Sequence, residues 1–340
     1  MPELRQDPVV GRWVIVATER TRRPNDFADN HNHVSEPKIN PFAEGNENLT
    51  PPEIFAIRDS GSRPNGPGWK VRVVPNKFPV LRVEGNLDKE GEGLYDRMSG
   101  IGAHEVIIEG PQHDLQLEEQ PLERVAGVIE TYRARMSDLL KDMRLRYVLV
   151  FKNFGREAGA TISHPHSQII ATPVIPKVVN EKLVGALNYY EQKERSIFAD
   201  VLKQELKDSH RIVYQNAGFV CFCPYASRFP FELCIMPRRQ LADFYRIESD
   251  EVLQLADILK ISLLKLHRGL NQPQYNYLIH TAPARYQKKD YWATLDQDFR
   301  WHIEVIPRLT QIAGFEVGTG FYVNPVPPED AAQFLKGVEV

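Results

Sequence analysis

The apolar positions of this chain switch between two spacings: short continuous runs and a three-to-four repeat. These are the marks of strands and of amphipathic helices. Strand-like runs fall at residues 8–17, 70–75, 103–109, 146–151, 219–224, 231–237, 275–280 and 300–307. The helical repeat is plain twice. From Pro121 to about Met143 it is carried by Leu122, Val125, Val128, Ile129, Tyr132, Met136, Leu139 and Leu140. From Glu248 to about Leu270 it is carried by Val252, Leu255, Ala256, Ile258, Leu259, Leu263 and Leu266. Residues 178–208 read as one long charged helix, and residues 26–70, rich in Asn, Pro, Gly and Ser, as a long irregular excursion. The order strands, helix, strand, loop, histidine-bearing strand occurs twice. It predicts an α+β protein made of a duplicated unit, residues 1–177 and 178–340, with two mainly antiparallel sheets and flanking helices.

Composition excludes more than it assigns. The chain has 340 residues, 42% hydrophobic and 26% charged, with a formal net charge of −3. That is the profile of an ordinary globular protein, and it offers no bulk electrostatic attraction for nucleic acid. No run is long and apolar enough to span a bilayer, and Met1–Asp7 lacks the apolar core of a signal peptide, so a cytoplasmic location is expected. Cys221, Cys223 and Cys234 are too few and too close together for a disulfide framework; they read as small packed hydrophobes.

The chemistry concentrates in Ser163-His164-Pro165-His166-Ser167-Gln168-Ile169-Ile170. On a strand, His164, His166 and Gln168 share one face. Pro165 donates no ladder hydrogen bond, so this stretch is an edge or an end of its strand. Three readings fit two imidazoles so arranged: a nucleophilic histidine beside a supporting one, a pair of metal ligands, or surface polarity. Ahead of them, Asn153-Phe154-Gly155 and Gly159-Ala160-Thr161 form a loop whose backbone N–H groups could approach an anion. Arg20, Arg22 and Arg23 follow the first strand and offer planar forks for phosphate, or a solvated loop.

Asn153…Gly159 followed by His164-Pro165-His166-Ser167-Gln168 resembles the active-site segment of hexose-1-phosphate uridylyltransferases, the galactose-1-phosphate uridylyltransferase branch of the histidine-triad superfamily. The resemblance covers essentially the whole chain. It includes Asp7-Pro8…Gly11-Arg12-Trp13-Val14, Arg20…Arg23-Pro24, Val74-Pro75-Asn76-Lys77-Phe78-Pro79, Phe229-Pro230-Phe231-Glu232 and Phe315…Gly318-Thr319-Gly320-Phe321. It implies two histidine-triad-like domains, the second with a degenerate motif. It also implies ping-pong transfer of a nucleoside monophosphate through His166, with Gln168 and His164 as its catalytic companions. Arg20, Arg23, Asn76, Phe78, Asn153, Gly159, Ala160 and Thr161 would hold the nucleotide and its phosphates, and Phe315, Val317, Gly318 and Thr319 the acceptor sugar phosphate. The implied partners are a UDP- or ADP-hexose and a hexose 1-phosphate, with no nucleic acid and no membrane. A homodimer is implied in which the C-terminal segment of one chain helps the other.

The sequence departs from the family pattern in two places. Many members carry a C-x-x-C pair ahead of the first sheet that binds zinc with two histidines, and several carry another pair in the second half; here they read Asn40…Ala43 and Ser196…Ala199. His113 and His164 remain, but two imidazoles without thiolates make a poor tetrahedral site, so no tight zinc and no required cofactor are expected. His280, His302 and Glu304 could form a weak mixed site, or stand as hydrogen-bonded structural residues. At the acceptor segment, Gly318-Thr319-Gly320 resembles the branch that includes ADP-glucose phosphorylases. Uridylyl transfer between UDP-glucose and galactose 1-phosphate is the leading expectation. ADP-glucose phosphorolysis and a non-catalytic nucleotide-sugar binder are its alternatives.

Overall fold

In the computed structural model, which describes residues 2–17, 39–285 and 293–340, the two halves of the chain contribute matching sets of elements. The first half supplies β1 (Glu3–Gln6), β2 (Trp13–Val16), β3 (Phe55–Arg58), β4 (Trp69–Pro75), β5 (Glu90–Glu92), β6 (Tyr95–Arg97), β7 (Ala103–Ile108), α1 (Leu122–Leu139), β8 (Tyr147–Phe154) and β9 (His166–Thr172). The second supplies α2 (Lys177–Lys193), α3 (Ile197–Asp208), β10 (Ile212–Gln215), β11 (Phe219–Phe222), β12 (Leu233–Pro237), α4 (Ser249–Gly269) and β13 (Tyr275–His280). It ends with α5 (Leu295–Asp298), β14 (His302–Pro307), α6 (Gly314–Thr319), β15 (Tyr322–Asn324) and α7 (Pro328–Gly337).

Ten strands make one antiparallel sheet in the order β10-β11-β12-β14-β13-β8-β9-β7-β4-β3. The two sheets expected from the sequence are its five-stranded halves. They join where β8 runs against β13, with Val150 opposite Ile279 and Phe154 opposite Tyr275. A buried apolar run looks the same whether its neighbour comes from its own half or the other, so the pattern gave no sign of this seam. A small separate sheet ties the termini together, β15 lying parallel to β2 and β2 antiparallel to β1.

Helices α1 and α4 cover one face of the large sheet, over a core that includes Val73, Ile107, Val150, Ile169, Ile235 and Val305. On the other face α2 and α3 cover the second half, packing Leu183 and Phe198 on Phe222 and Met236. Strand β12 is apolar throughout because Leu233 and Ile235 meet the first layer and Cys234 and Met236 the second. Over the first half that second layer shrinks to Phe42, Trp69, Val74, Val106 and Ile108. The outward face of β9 thereby opens with the polar side chains of His166 and Gln168. Cys221, Cys223 and Cys234 are free and buried. No described helix is long and apolar enough to cross a membrane.

Residues 178–208 are two helices rather than one. The chain turns at Glu194, in the left-handed region at φ 53°, and restarts at Ser196. Ser196 Oγ accepts the Ala199 N–H (3.4 Å) and donates to the Asp298 carbonyl (2.9 Å). A serine N-cap is the stronger signal here, because a charged helix surface carries no periodicity that would reveal a break.

A buried polar cluster sits beneath the seam. Lys152 donates to the Glu109 carboxylate, both side chains being almost wholly excluded from solvent. The Tyr132 hydroxyl lies against Ser167 Oγ (2.8 Å), Glu109 Oε1 (3.3 Å) and the Tyr277 hydroxyl from the second half. The Glu109 backbone N–H donates to the Pro165 carbonyl (3.1 Å), which ties this cluster to the turn entering β9. Lys152→Met strands a buried carboxylate, and we expect a loss of about 3–5 kcal/mol in urea unfolding. Lys152→Met combined with Glu109→Gln should recover most of it; a double variant as unstable as the single one would contradict this.

Candidate active site

Pro165 lacks an N–H and stands directly before the first residue of β9, a strand flanked on both sides by β7 and β8. It therefore marks the strand's end rather than a sheet edge, and it costs no ladder bond. Along β9, Ile169 and Ala171 enter the core under α1 and Ser167 meets Tyr132, so His166 and Gln168 take the opposite face.

His166 Nδ1 lies 2.8 Å from the His164 carbonyl oxygen. A carbonyl only accepts, so Nδ1 carries the proton and Nε2 keeps its lone pair. Among the described residues no donor is bonded to Nε2. The ring is 8% exposed and meets the edge of Phe42 at 5.3 Å between centroids. Burial pushes its pKa down to about 4; the His164 carbonyl opposes that and the Lys152 charge adds to it. At neutral pH the group is an uncharged imidazole with one bare nitrogen.

The His164 ring does a different job from the one its pairing with His166 suggests. Its Nε2–H donates to the Gly110 carbonyl (2.7 Å), and its Nδ1 accepts from Asn40 Nδ2 (3.0 Å). Asn40 Oδ1 in turn accepts the Phe42 N–H (3.0 Å). His164 is fully buried, which lowers its pKa to about 4. With both nitrogens engaged, its ring locks the loop, and its backbone carbonyl serves His166. These residues do not fit a zinc ion: Asn40 already occupies the His164 lone pair, Ala43 offers no ligand atom, and His113 lies exposed on the surface. At the second replaced pair, Ser196 and Ala199 form the N-cap of α3.

Gln168 is held by a residue that the sequence reading passed over. The Val80 N–H donates to His104 Nδ1 (3.3 Å), so His104 Nε2–H donates to Gln168 Oε1 (2.7 Å). Asn76 stands beside the same nitrogen (3.0 Å), and its Oδ1 accepts the Phe78 N–H (2.9 Å). With its oxygen tied down, Gln168 presents its NH₂ group as a donor. The clue in the sequence was a lone histidine heading the β7 face that continues as Val106 and Ile108.

The glycine loop departs from expectation. The Gly159 N–H donates to the Arg156 carbonyl (2.9 Å) and the Ala160 N–H to the Gly155 carbonyl (3.0 Å), so neither is free for an anion. Thr161 is exposed at the loop's end. Gly155 is required by its φ of +86° and by Gln274, whose side chain lies 2.4 Å from where a Cβ would stand. Asn153 Oδ1 accepts from Asn276 Nδ2 (2.8 Å), which also donates to the Ala158 carbonyl (2.8 Å). Asn276 is thus a second partner missed in the sequence, supplied by β13 across the seam.

Arg20 and Arg23 lie outside the described residues. Phe78 is 82% exposed. Phe315, Val317, Gly318 and Thr319 form most of α6, a helix with no buried residue that packs on β15. Among the described residues no hydrogen bond or ring contact joins α6 to His166.

Comparison with known proteins places this geometry. The family model for the N-terminal domain of galactose-1-phosphate uridyl transferase matches residues 1–176, and one for a domain of unknown function (DUF4921) matches residues 122–336. An ADP-glucose phosphorylase of Arabidopsis thaliana is 34% identical, over 100% of this chain and 93% of that protein. A galactose-1-phosphate uridylyltransferase of Thermotoga maritima is 28% identical, over 100% and 99%. The crystal structure of an Arabidopsis thaliana ADP-glucose phosphorylase with bound ADP-glucose superposes with a TM-score of 0.83 at 32% identity, covering 100% of this chain and 99% of that one. With a duplicated α+β sheet and these relatives along its length, the chain belongs to the galactose-1-phosphate uridylyltransferase family and is an enzyme of the nucleotidyltransferase type.

Proposed function

We propose that the enzyme transfers adenylyl groups in the manner of an ADP-glucose phosphorylase. His166 Nε2 attacks the α-phosphorus of ADP-glucose, the bond to the glucose 1-phosphate oxygen breaks, and adenylyl-His166 forms. Phosphate then attacks the same phosphorus, releasing ADP and the neutral imidazole. The observation that carries the choice of base is the 34% identity to an ADP-glucose phosphorylase, against 24–28% for full-length galactose-1-phosphate uridylyltransferases. The uridylyl reading, which led on the sequence alone, becomes the second.

The site supports this chemistry atom by atom. As Nε2 bonds to phosphorus the ring becomes cationic, and its Nδ1–H bond to the His164 carbonyl strengthens as that charge develops. A weakly basic imidazole also leaves phosphorus readily in the second step. The Gln168 NH₂ would donate to a phosphate oxygen, and Asn153, Thr161, Asn76 and Phe78 would contact the nucleotide. Arg20 and Arg23 would supply positive charge. The proposed reaction needs no resident metal.

We propose further that a homodimer completes the acceptor site, the α6 of each chain reaching the other's His166. Exposed apolar side chains support this: Phe78, Val80, Leu94 and Tyr95 on one excursion and Val317 on α6. A cytoplasmic location accords with three free buried thiols.

Intact-mass analysis after incubation with ADP-glucose, without phosphate, should reveal one AMP adduct per chain, and UDP-glucose should leave much less. A UMP adduct with no AMP adduct would favour the second reading. No adduct with either would contradict both. His166→Ala should abolish the adduct, and Gln168→Ala should slow its formation by about 100-fold with unchanged circular dichroism. Because protonation removes the Nε2 lone pair and the folded pKa is depressed to about 4, adduct formation should stay level from pH 8 to about 5 and fall only below that. An inflection near 6.5 in the rate profile would mean that His166 titrates as a solvent-exposed imidazole.

A further inference from the structure

The second half carries a copy of the histidine site that the proposed reaction leaves unused. His302 opens β14 as His166 opens β9, and its Nδ1–H donates to the carbonyl two residues back, Arg300, at 3.0 Å. Glu304 stands where Gln168 stands in the first copy. Here too the ring's Nε2 is left with its lone pair. His280, opposite His302 in the sheet, brings a second imidazole. One ligand atom each from His280, His302 and Glu304 lies within 4.8 Å of the others, the layout of a metal-ligand set. The His280 ring is buried, with its Nε2 3.3 Å from Glu304 Oε2.

The set is not vacant. Lys182, reaching down from α2, puts its ammonium 2.7 Å from His302 Nε2 and 2.6 Å from Glu304 Oε1, the two lone pairs a metal would need. Glu304 Oε2 accepts from Arg228 (2.8 Å), which also pairs with Glu232 (2.6 Å). Two cations and two carboxylates cancel, so adding a divalent ion would bury uncompensated charge. Lys182, His302 and Glu304 also line a cavity of about 810 Å³ between α3 and the sheet.

We propose that Lys182 is a built-in cation occupying the metal position of this ligand set, so that it both excludes a divalent ion and caps the second copy's nucleophilic nitrogen. The inference is independent of which nucleotide reacts at His166. It explains why one half keeps a bare imidazole and the other does not. It also disagrees with a mixed His/Glu metal site in this chain, since an ammonium is a donor only and must leave before any ion can bind.

The test is cobalt(II) titration of the full-length, chelator-treated protein, read by visible absorption. Wild-type protein should show no cobalt spectrum that His302→Ala removes. Lys182→Met should bind one cobalt per chain at least 100-fold more tightly than wild type, with bands that disappear in Lys182→Met/His302→Ala. Lys182→Gln is the second variant, retaining a polar side chain if the Met change fails to fold. A stoichiometric cobalt spectrum in wild type that His302→Ala abolishes would overturn the proposal, as would a folded Lys182 variant that binds no better than wild type. Should neither lysine variant fold, the wild-type comparison with His302→Ala decides alone.

Discussion

One hydrogen bond governs the reactive end of this molecule: the His166 Nδ1–H donated to the His164 carbonyl. It fixes the tautomer, and so it decides which nitrogen keeps a lone pair. The bond exists only because the carbonyl is held in place. Gly110 and Asn40 grip the His164 ring, and Glu109 grips the Pro165 carbonyl while itself neutralised by buried Lys152. Burial then removes the ring's charge at neutral pH. In the proposed reaction the nucleophile is thus prepared by its backbone and by the low polarity around it, without a neighbouring side chain acting as base.

Duplication supplies the frame and asymmetry supplies the function. Both halves lay five antiparallel strands against a long helix, and both start the decisive strand with a histidine bonded to the carbonyl two residues earlier. The difference is what covers the outer face. Helices α2 and α3 roof the second half and deliver Lys182 to its histidine. The first half has no such helix among the described residues, and there no donor is bonded to His166 Nε2. The halves also depend on each other, since Asn276 braces Asn153 across the seam and Tyr277 meets Tyr132 beneath it.

Much of this was legible in the sequence. The helices at 122–139 and 249–269 and the strand at 275–280 followed from periodicity, because their apolar faces are continuous. His166 and Gln168 stood out because imidazole and amide are unusual choices at the head of an apolar strand. The seam between β8 and β13 was not legible, since both strands are apolar for reasons that do not specify a partner. Nor were β1 and α6, which are short, mostly exposed and without hydrophobic periodicity. His104 and Asn276 act only through contacts from distant strands, and the engaged N–H groups of Gly159 and Ala160 depend on how their loop closes on itself. Such features are set by tertiary geometry that no local pattern encodes.

The most direct measurement of the central claim is long-range proton–nitrogen correlation on histidine-labelled protein, with His166→Ala used to identify the signal. The structure requires a proton on His166 Nδ1 and a bare Nε2 from pH 8 down to about 5. A proton on Nε2, or a ring that charges near its ordinary pKa, would contradict a nucleophile readied by the His164 carbonyl.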